Sequence, residues 1–171
     1  LQDLGETLIR KDNPRGVGLA APQVNESWRL FATLLPPSGR RGDGQPQLRL
    51  FLNPRIVDTS PQLTFGENPD EPILEGCLSI PEIYGPVPRY QWVELSYDQI
   101  EGDQLVTHQQ RFTEYAARVI QHEYDHLDGR LFIDYAVEYD LPLYRENGKK
   151  MDEMSSQMVK AFHHQSLIEK K

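Results

Sequence analysis

The run QHEYDHLDG, residues 121–129, is the stretch around which the rest of the chain is organised. His122 and His126 are four residues apart, so on a helix both imidazoles leave one face and can converge on a single ion. Glu123 follows the first histidine, where its carboxylate can reach a water beside that ion, as in metal hydrolases built on H-E-x-x-H. The surrounding pattern predicts a helix over residues 113–128. Tyr115, Val119, His122 and His126 form one stripe, with Thr113 at the N-cap and Gly129 at the C′ stop. Unpaired imidazoles on that buried face would be costly, so the pair either meets an ion or is hydrogen-bonded within the protein.

A catalytic site of this kind takes three protein ligands and keeps one position open. The extended pattern H-E-x-x-H-x-x-G-x-x-H matches through Gly129 and then fails, because Phe132 stands where the third histidine would be. Glu146 would complete a thermolysin-type set, but it sits in the polar, turn-like run YRENGKK. His108 lies in a hydrophilic strand-like run, and His163 and His164 near the C-terminus have no supporting pattern. Cys77, in EGCLSIP, is the single cysteine. One thiolate with two imidazoles is an established ligand set for a hydrolytic metal, although a lone cysteine also reads as a small buried hydrophobe.

The 171 residues suit one domain, spanning 1–171, with a sizeable core. A formal net charge of −8 argues against nonspecific nucleic-acid binding. One cysteine permits no intrachain disulfide. No apolar run approaches membrane-spanning length, and no signal peptide is visible. The chain opens at Leu1 without a methionine, which leaves a removed targeting segment open.

Along the chain, Leu1, Leu4, Leu8 and Ile9 have helical spacing, and Pro14 biases Asn13 away from it. GVGLAAPQV (16–24) matches the letters of G-x-G-x-x-A, but a polar turn precedes it and Pro22 follows, so the dinucleotide fingerprint lacks its strand and helix. Its small residues instead let another backbone approach closely. Strands are expected at 28–35 and 48–58, the second an edge or a bulge at Pro54. The loop between them, 36–47, is rich in Pro, Gly and charge. Residues 90–99 and 103–112 read as a β-hairpin, and LFIDYAVEYD (131–140) as a last strand. Met151, Met154, Met158 and Phe162 mark a C-terminal helix from about 149. The expected class is α+β, a mixed, mostly antiparallel sheet around a central metal-binding helix.

GVGLAAPQV, EGCLSIP and QHEYDHLDG together resemble the three signature motifs of the peptide deformylases, in the family's order. The resemblance implies a hydrolase that removes the formyl group from N-formylmethionine at the start of new polypeptides. It implies one divalent ion, natively Fe2+, with Zn2+ or Ni2+ as alternatives, held by Cys77, His122 and His126. Glu123 takes the acid/base role, and the Gln23 side chain and the Leu78 backbone N–H become oxyanion donors. Gly18 looks like the glycine that pairs with the extended substrate. Val17, Ile73, Gly76, Tyr115 and Val119 are candidates for contact with the substrate, and Glu75 and Arg89 for an ion pair or support behind the ligands. The expected partners are formylated nascent peptides and, transiently, the ribosome, with neither membrane nor specific nucleic acid. A bacterial-type cytoplasmic location follows, with an organellar one left open by the start at Leu1.

Three departures accompany the resemblance. Family members carry some tens of residues before the first motif, Tyr84 stands where some have arginine, and the loop 36–47 looks like an insertion. Two other readings compete. A zinc endopeptidase on the same helix would need another third ligand. A non-catalytic metal-binding protein would have no use for Glu123 and Gln23.

Overall fold

The computed structural model describes residues 2–10, 16–41, 43–68 and 70–169. The helical spacing assigned to Leu1 and the break at Asn13–Pro14 lie outside those residues. In chain order the strands are β1 (Gly18–Ala20), β2 (Leu30–Leu35), β3 (Gln47–Thr59), β4 (Leu63–Thr64), β5 (Leu74–Cys77) and β6 (Ile80–Pro86). They continue as β7 (Arg89–Tyr90), β8 (Trp92–Glu101), β9 (Gln104–Thr113), β10 (Tyr144–Asn147) and β11 (Lys150–Glu153). The helices are α1 (Gln2–Arg10), α2 (Glu114–Leu127), α3 (Phe132–Glu138) and α4 (Ser156–Glu169), with a 3-10 turn at Ala21–Val24. Every strand pairing among the described residues is antiparallel. The class is α+β, as expected. The contacts gather into two compact units, residues 1–64 with 89–129 and residues 65–88 with 130–171.

The first unit is built on a five-stranded sheet in the order β1-β2-β3-β8-β9. Alternation decides its faces, since neighbours along a strand point to opposite sides. Phe31, Phe51, Tyr97 and Phe112 share one face, with ring centroids 4.8 Å apart from Phe31 to Phe51 and from Phe51 to Tyr97. Ala116, Ala117, Val119 and Ile120 of α2 close over these rings as one core. The opposite face meets α1, where Gly5 lies close under the Leu48 side chain. Leu4 and Leu8, one helical turn apart, are buried in α1.

Pro54 interrupts β3 as expected, but as a bulge in an interior strand and not at an edge. The register with β8 shifts between Leu52 and Arg55, so the position that lacks an N–H is excused from the ladder. Asn53 takes the left-handed φ of 48° there and donates its N–H to the Arg29 carbonyl at 2.8 Å. The β8–β9 hairpin pairs ten residues without a shift. Its loop is Gly102–Asp103, with Gly102 at φ 62°, one residue tighter than the sequence spacing implied.

The second unit holds a four-stranded sheet, β11-β10-β6-β5, with α3 and α4. Two expectations are corrected here. Residues 131–140 do not form a strand: Phe132, Ile133 and Ala136 are buried at helical spacing in α3. The Asp134 carboxylate accepts the Leu131 N–H at 2.7 Å and starts the helix, a local bond that settles what a short apolar run left ambiguous. The tail does not become helical at about 149. Residues 144–153 form the β10–β11 hairpin, and α4 begins at Ser156. Met151 is therefore a strand residue, and Met154, buried beside Val159, belongs to the core before the helix starts.

Candidate functional site

The helix that carries the H-E-x-x-H run spans Glu114–Leu127, one residue inside each expected end. Thr113 occupies the N-cap position, although its side chain makes no capping bond, and the Glu114 N–H goes to the Gln91 carbonyl at 3.0 Å. Gly129 adopts φ 74° just past the end, the left-handed stop that glycine takes without strain. The histidines behave as their spacing implied. Their ring centroids are 5.0 Å apart at an interplanar angle of 76°, so two nitrogen donors leave the helix on one side. His126 and Glu123 are 6% and 4% exposed.

Glu123 explains a glycine. A Cβ built on Gly18 would stand 2.6 Å from the Glu123 carboxyl carbon and closer still to Oε1. Gly18 thus leaves the space that the carboxylate fills. Gly18 pairs with Thr33 on one side, and β1 is the terminal strand of its sheet. Directly after it, the Gln23 Oε1 accepts the Ala20 N–H at 2.8 Å. That bond assigns the amide, with Nε2 as its donor end.

A polar stripe along α2 was not anticipated from the sequence. Arg118 donates to the Thr64 carbonyl at 2.8 Å. Gln121 takes the Tyr90 N–H and gives to the Tyr90 carbonyl, both at 2.9 Å. Asp125 pairs with Arg89 at 2.5 Å. Residues 118, 121 and 125 recur at helical spacing, so the β4–β7 ribbon is strapped to one face of α2. Their spacing was readable, but their partners were not. Arg89, expected near the site with Glu75, pairs within its own unit with Asp125. The Arg89 side chain is 2% exposed and that of Asp125 16%. Replacing Asp125 with Ala is expected to cost about 2 kcal/mol, less than the 3–5 kcal/mol of a fully enclosed pair because Asp125 still touches solvent. Thermal unfolding of that variant should fall by about 4–8 °C, and an unchanged midpoint would show that the pair contributes nothing.

The loop 36–47 leans on the same helix. Gly39, at φ 72°, sets its backbone against the Ala116 methyl, Arg40 pairs with Glu114 at 3.5 Å, and the Arg41 guanidinium lies 5.7 Å from the Tyr115 ring centre. Tyr115 is half-buried against the core that contains Val119, and Val17 is 37% exposed.

In the second unit Cys77 ends β5 and joins its core cluster. Leu78 and Ser79 make the tight turn into β6, and the Ser79 N–H points at the Cys77 Sγ at 3.4 Å. Glu75 is 7% exposed. Gly76 lies opposite Tyr84, whose ring occupies the space of a Cβ there. The Tyr84 hydroxyl donates to Glu146 at 3.0 Å; burial first, and that bond second, hold its pKa above the ordinary phenol value. Glu146, the thermolysin-type candidate, is thereby engaged within its own sheet. Ile73 donates its N–H to the Phe65 carbonyl at 2.8 Å. Of the other histidines, His163 pairs with Asp134 at 2.8 Å and His108 lies beside Glu101 at 2.9 Å.

The family model of polypeptide deformylase matches residues 1–141. A peptide deformylase of Pseudothermotoga lettingae is 40% identical over 134 residues, covering 78% of this chain and 65% of that protein. Peptide deformylase 2 of a Nostoc species is 42% identical over 136 residues, covering 78% and 68%. The chain thus spans about two thirds of the length of these relatives. Among solved structures, the Met-Ala-Ser-bound class I type b peptide deformylase of Acinetobacter baumannii superposes with a TM-score of 0.63 at 32% identity, over 78% of this chain and 79% of that one. A plant peptide deformylase gives 0.64 at 28% identity, over 97% and 72%. The family model's match takes in all three motifs, and the chain belongs to the polypeptide deformylase family.

Proposed function

We propose that this chain hydrolyses the formyl group from N-formylmethionine at the start of new polypeptides and releases formate. The observation that carries the reading is the buried Glu123 carboxylate beside two imidazoles on one side of α2, in a chain of this family. Cys77 joins His122 and His126 as the third ligand of one divalent ion. One thiolate with two imidazoles suits Fe2+, which we take as native, and equally Zn2+ or Ni2+. Such an ion supplies Lewis acidity toward a water and the formyl carbonyl.

The remaining chemistry belongs to the chain. Glu123 accepts a proton from the attacking water and delivers it to the departing amine. The Gln23 Nε2 and the Leu78 backbone N–H donate to the oxygen that becomes negative in the tetrahedral intermediate. A neutral amide suits this because it donates without titrating, and each such donor lowers the barrier by about 3–4 kcal/mol. The peptide extends along the outer edge of β1, where Gly18 offers backbone groups for strand addition. Val17, Ile73, Gly76, Tyr115 and Val119 contact the methionine side chain and the peptide that follows it. Glu75 and Arg89 support the ligands from behind. Transient ribosome contact and a cytoplasmic location complete the reading, and no helix among the described residues is long and apolar enough to cross a membrane.

The test is formate release from a short formyl-Met peptide by anaerobically prepared Fe2+ or Ni2+ protein, with Glu123→Ala as the control. Release by the parent is expected. A parent that holds one metal per chain and releases no formate would overturn the reading.

A further inference from the structure

Thr33 stands in the middle of β2 and is 0% exposed. Its neighbours on the same sheet face, Phe31 and Leu35, belong to the apolar core. Its hydroxyl meets no hydrogen-bond partner among the described residues. A buried hydroxyl left without a partner is destabilising, and valine would fill the same shape without that cost. The adjacent strands say where the hydroxyl has to look. Across β3 it faces Arg49, whose guanidinium turns away to the Tyr97 hydroxyl at 2.7 Å and to Gln110 at 2.8 Å. Across β1 it faces Gly18.

Directly paired residues project side by side from one face, with Cβ positions about 4.5–5.5 Å apart. Gly18 projects nothing, and the space of its missing Cβ holds the Glu123 carboxylate. The polar group beside Thr33 on that side is therefore Glu123, too far for a direct hydrogen bond and within the reach of one bridging water.

We propose that Thr33 is a positioning residue for Glu123: its hydroxyl donates a hydrogen bond to one ordered water that in turn donates to the carboxylate. The bond holds that carboxylate in the orientation from which it moves a proton. This inference rests on the deformylase reading. A misplacement of the reacting group by a fraction of an ångström is enough to slow an oriented step, so the effect belongs in kcat. Substrate affinity has no part in it.

The experiment compares the full-length, metal-loaded parent with Thr33→Val and Thr33→Ser. It measures kcat and KM for formate release, metal content per chain and thermal unfolding. Thr33→Val should keep the parent's metal content, KM and unfolding midpoint while kcat falls about tenfold, and Thr33→Ser should restore most of that loss. Parent-like kcat in Thr33→Val overturns the proposal. So does a slow Thr33→Val that has also lost metal or stability, or that serine fails to rescue, since packing would then account for the effect. An inactive parent overturns the deformylase reading itself and this inference with it, whereas a Thr33→Val with undiminished kcat beside an active parent overturns this inference alone.

Discussion

Replacing Glu123 with Ala is expected to slow formate release about 10²- to 10⁴-fold, the range in which a positioned general acid/base contributes. That factor corresponds to about 3–5 kcal/mol in the barrier. Two features place the effect toward the upper part of the range. The side chain is 4% exposed, so bulk water cannot easily take over the proton. Its carboxylate also sits in a space that a glycine leaves open for it, which fixes its direction before substrate arrives. Metal content should stay near one ion per chain, because Glu123 is not among the proposed ligands. A variant within a few fold of the parent would remove Glu123 from the proton path.

Gly18→Ala should approach the same outcome from the other side of that contact, with a loss of about 10²-fold. A methyl on Gly18 would stand 2.6 Å from the Glu123 carboxyl carbon, closer than real side chains come. Either the carboxylate turns away or β1 shifts, and a displacement of about 1 Å in an oriented group costs about 10²-fold. The backbone does not object to alanine, because Gly18 lies outside the left-handed region; the penalty is steric. The double variant supplies the check. The three atoms nearest to the added methyl all belong to the Glu123 side chain, so Gly18→Ala should cost little in a Glu123→Ala background. Full additivity of the two losses would mean that Gly18 acts through its backbone and the peptide alone.

Gly18 also shows where reading the sequence stops. The small residues of GVGLAAPQV announced a close approach, but not by what. The structure adds a carboxylate from far along the chain to the backbone pairing anticipated there. The α2 helix was legible because its period is local: the histidines, the N-cap position and the glycine stop all lie within one run. Cys77 was legible only through its motif, since one cysteine carries no periodicity. Residues 131–140 misled because alternation and helical spacing coincide in a short apolar run, and the deciding bond, from Leu131 to Asp134, is a side-chain geometry. Pro54 correctly announced an irregularity, but whether its strand lies inside or at the edge of a sheet depends on which other strands pair with it. Asp125 and Thr33 gave no signal at all. Their meaning comes wholly from partners on other strands.

The straps on α2 bear on what an ion would find when it arrives. Arg118, Gln121 and Asp125 hold their partners through bonds in which no metal takes part, and the apolar face of the helix is fixed by the Phe31–Phe51 core. Neither rotation nor unwinding of the helix is left to be settled at the moment of ligation. The two imidazoles are therefore presented with little conformational entropy still to lose. Small zinc domains differ in kind, because there the free energy of metal binding is the free energy of folding. In this unit the bonds that hold the helix are all between protein groups, so a chelator is expected to leave the helical circular-dichroism signal in place, and loss of that signal would show that folding and metal binding are coupled.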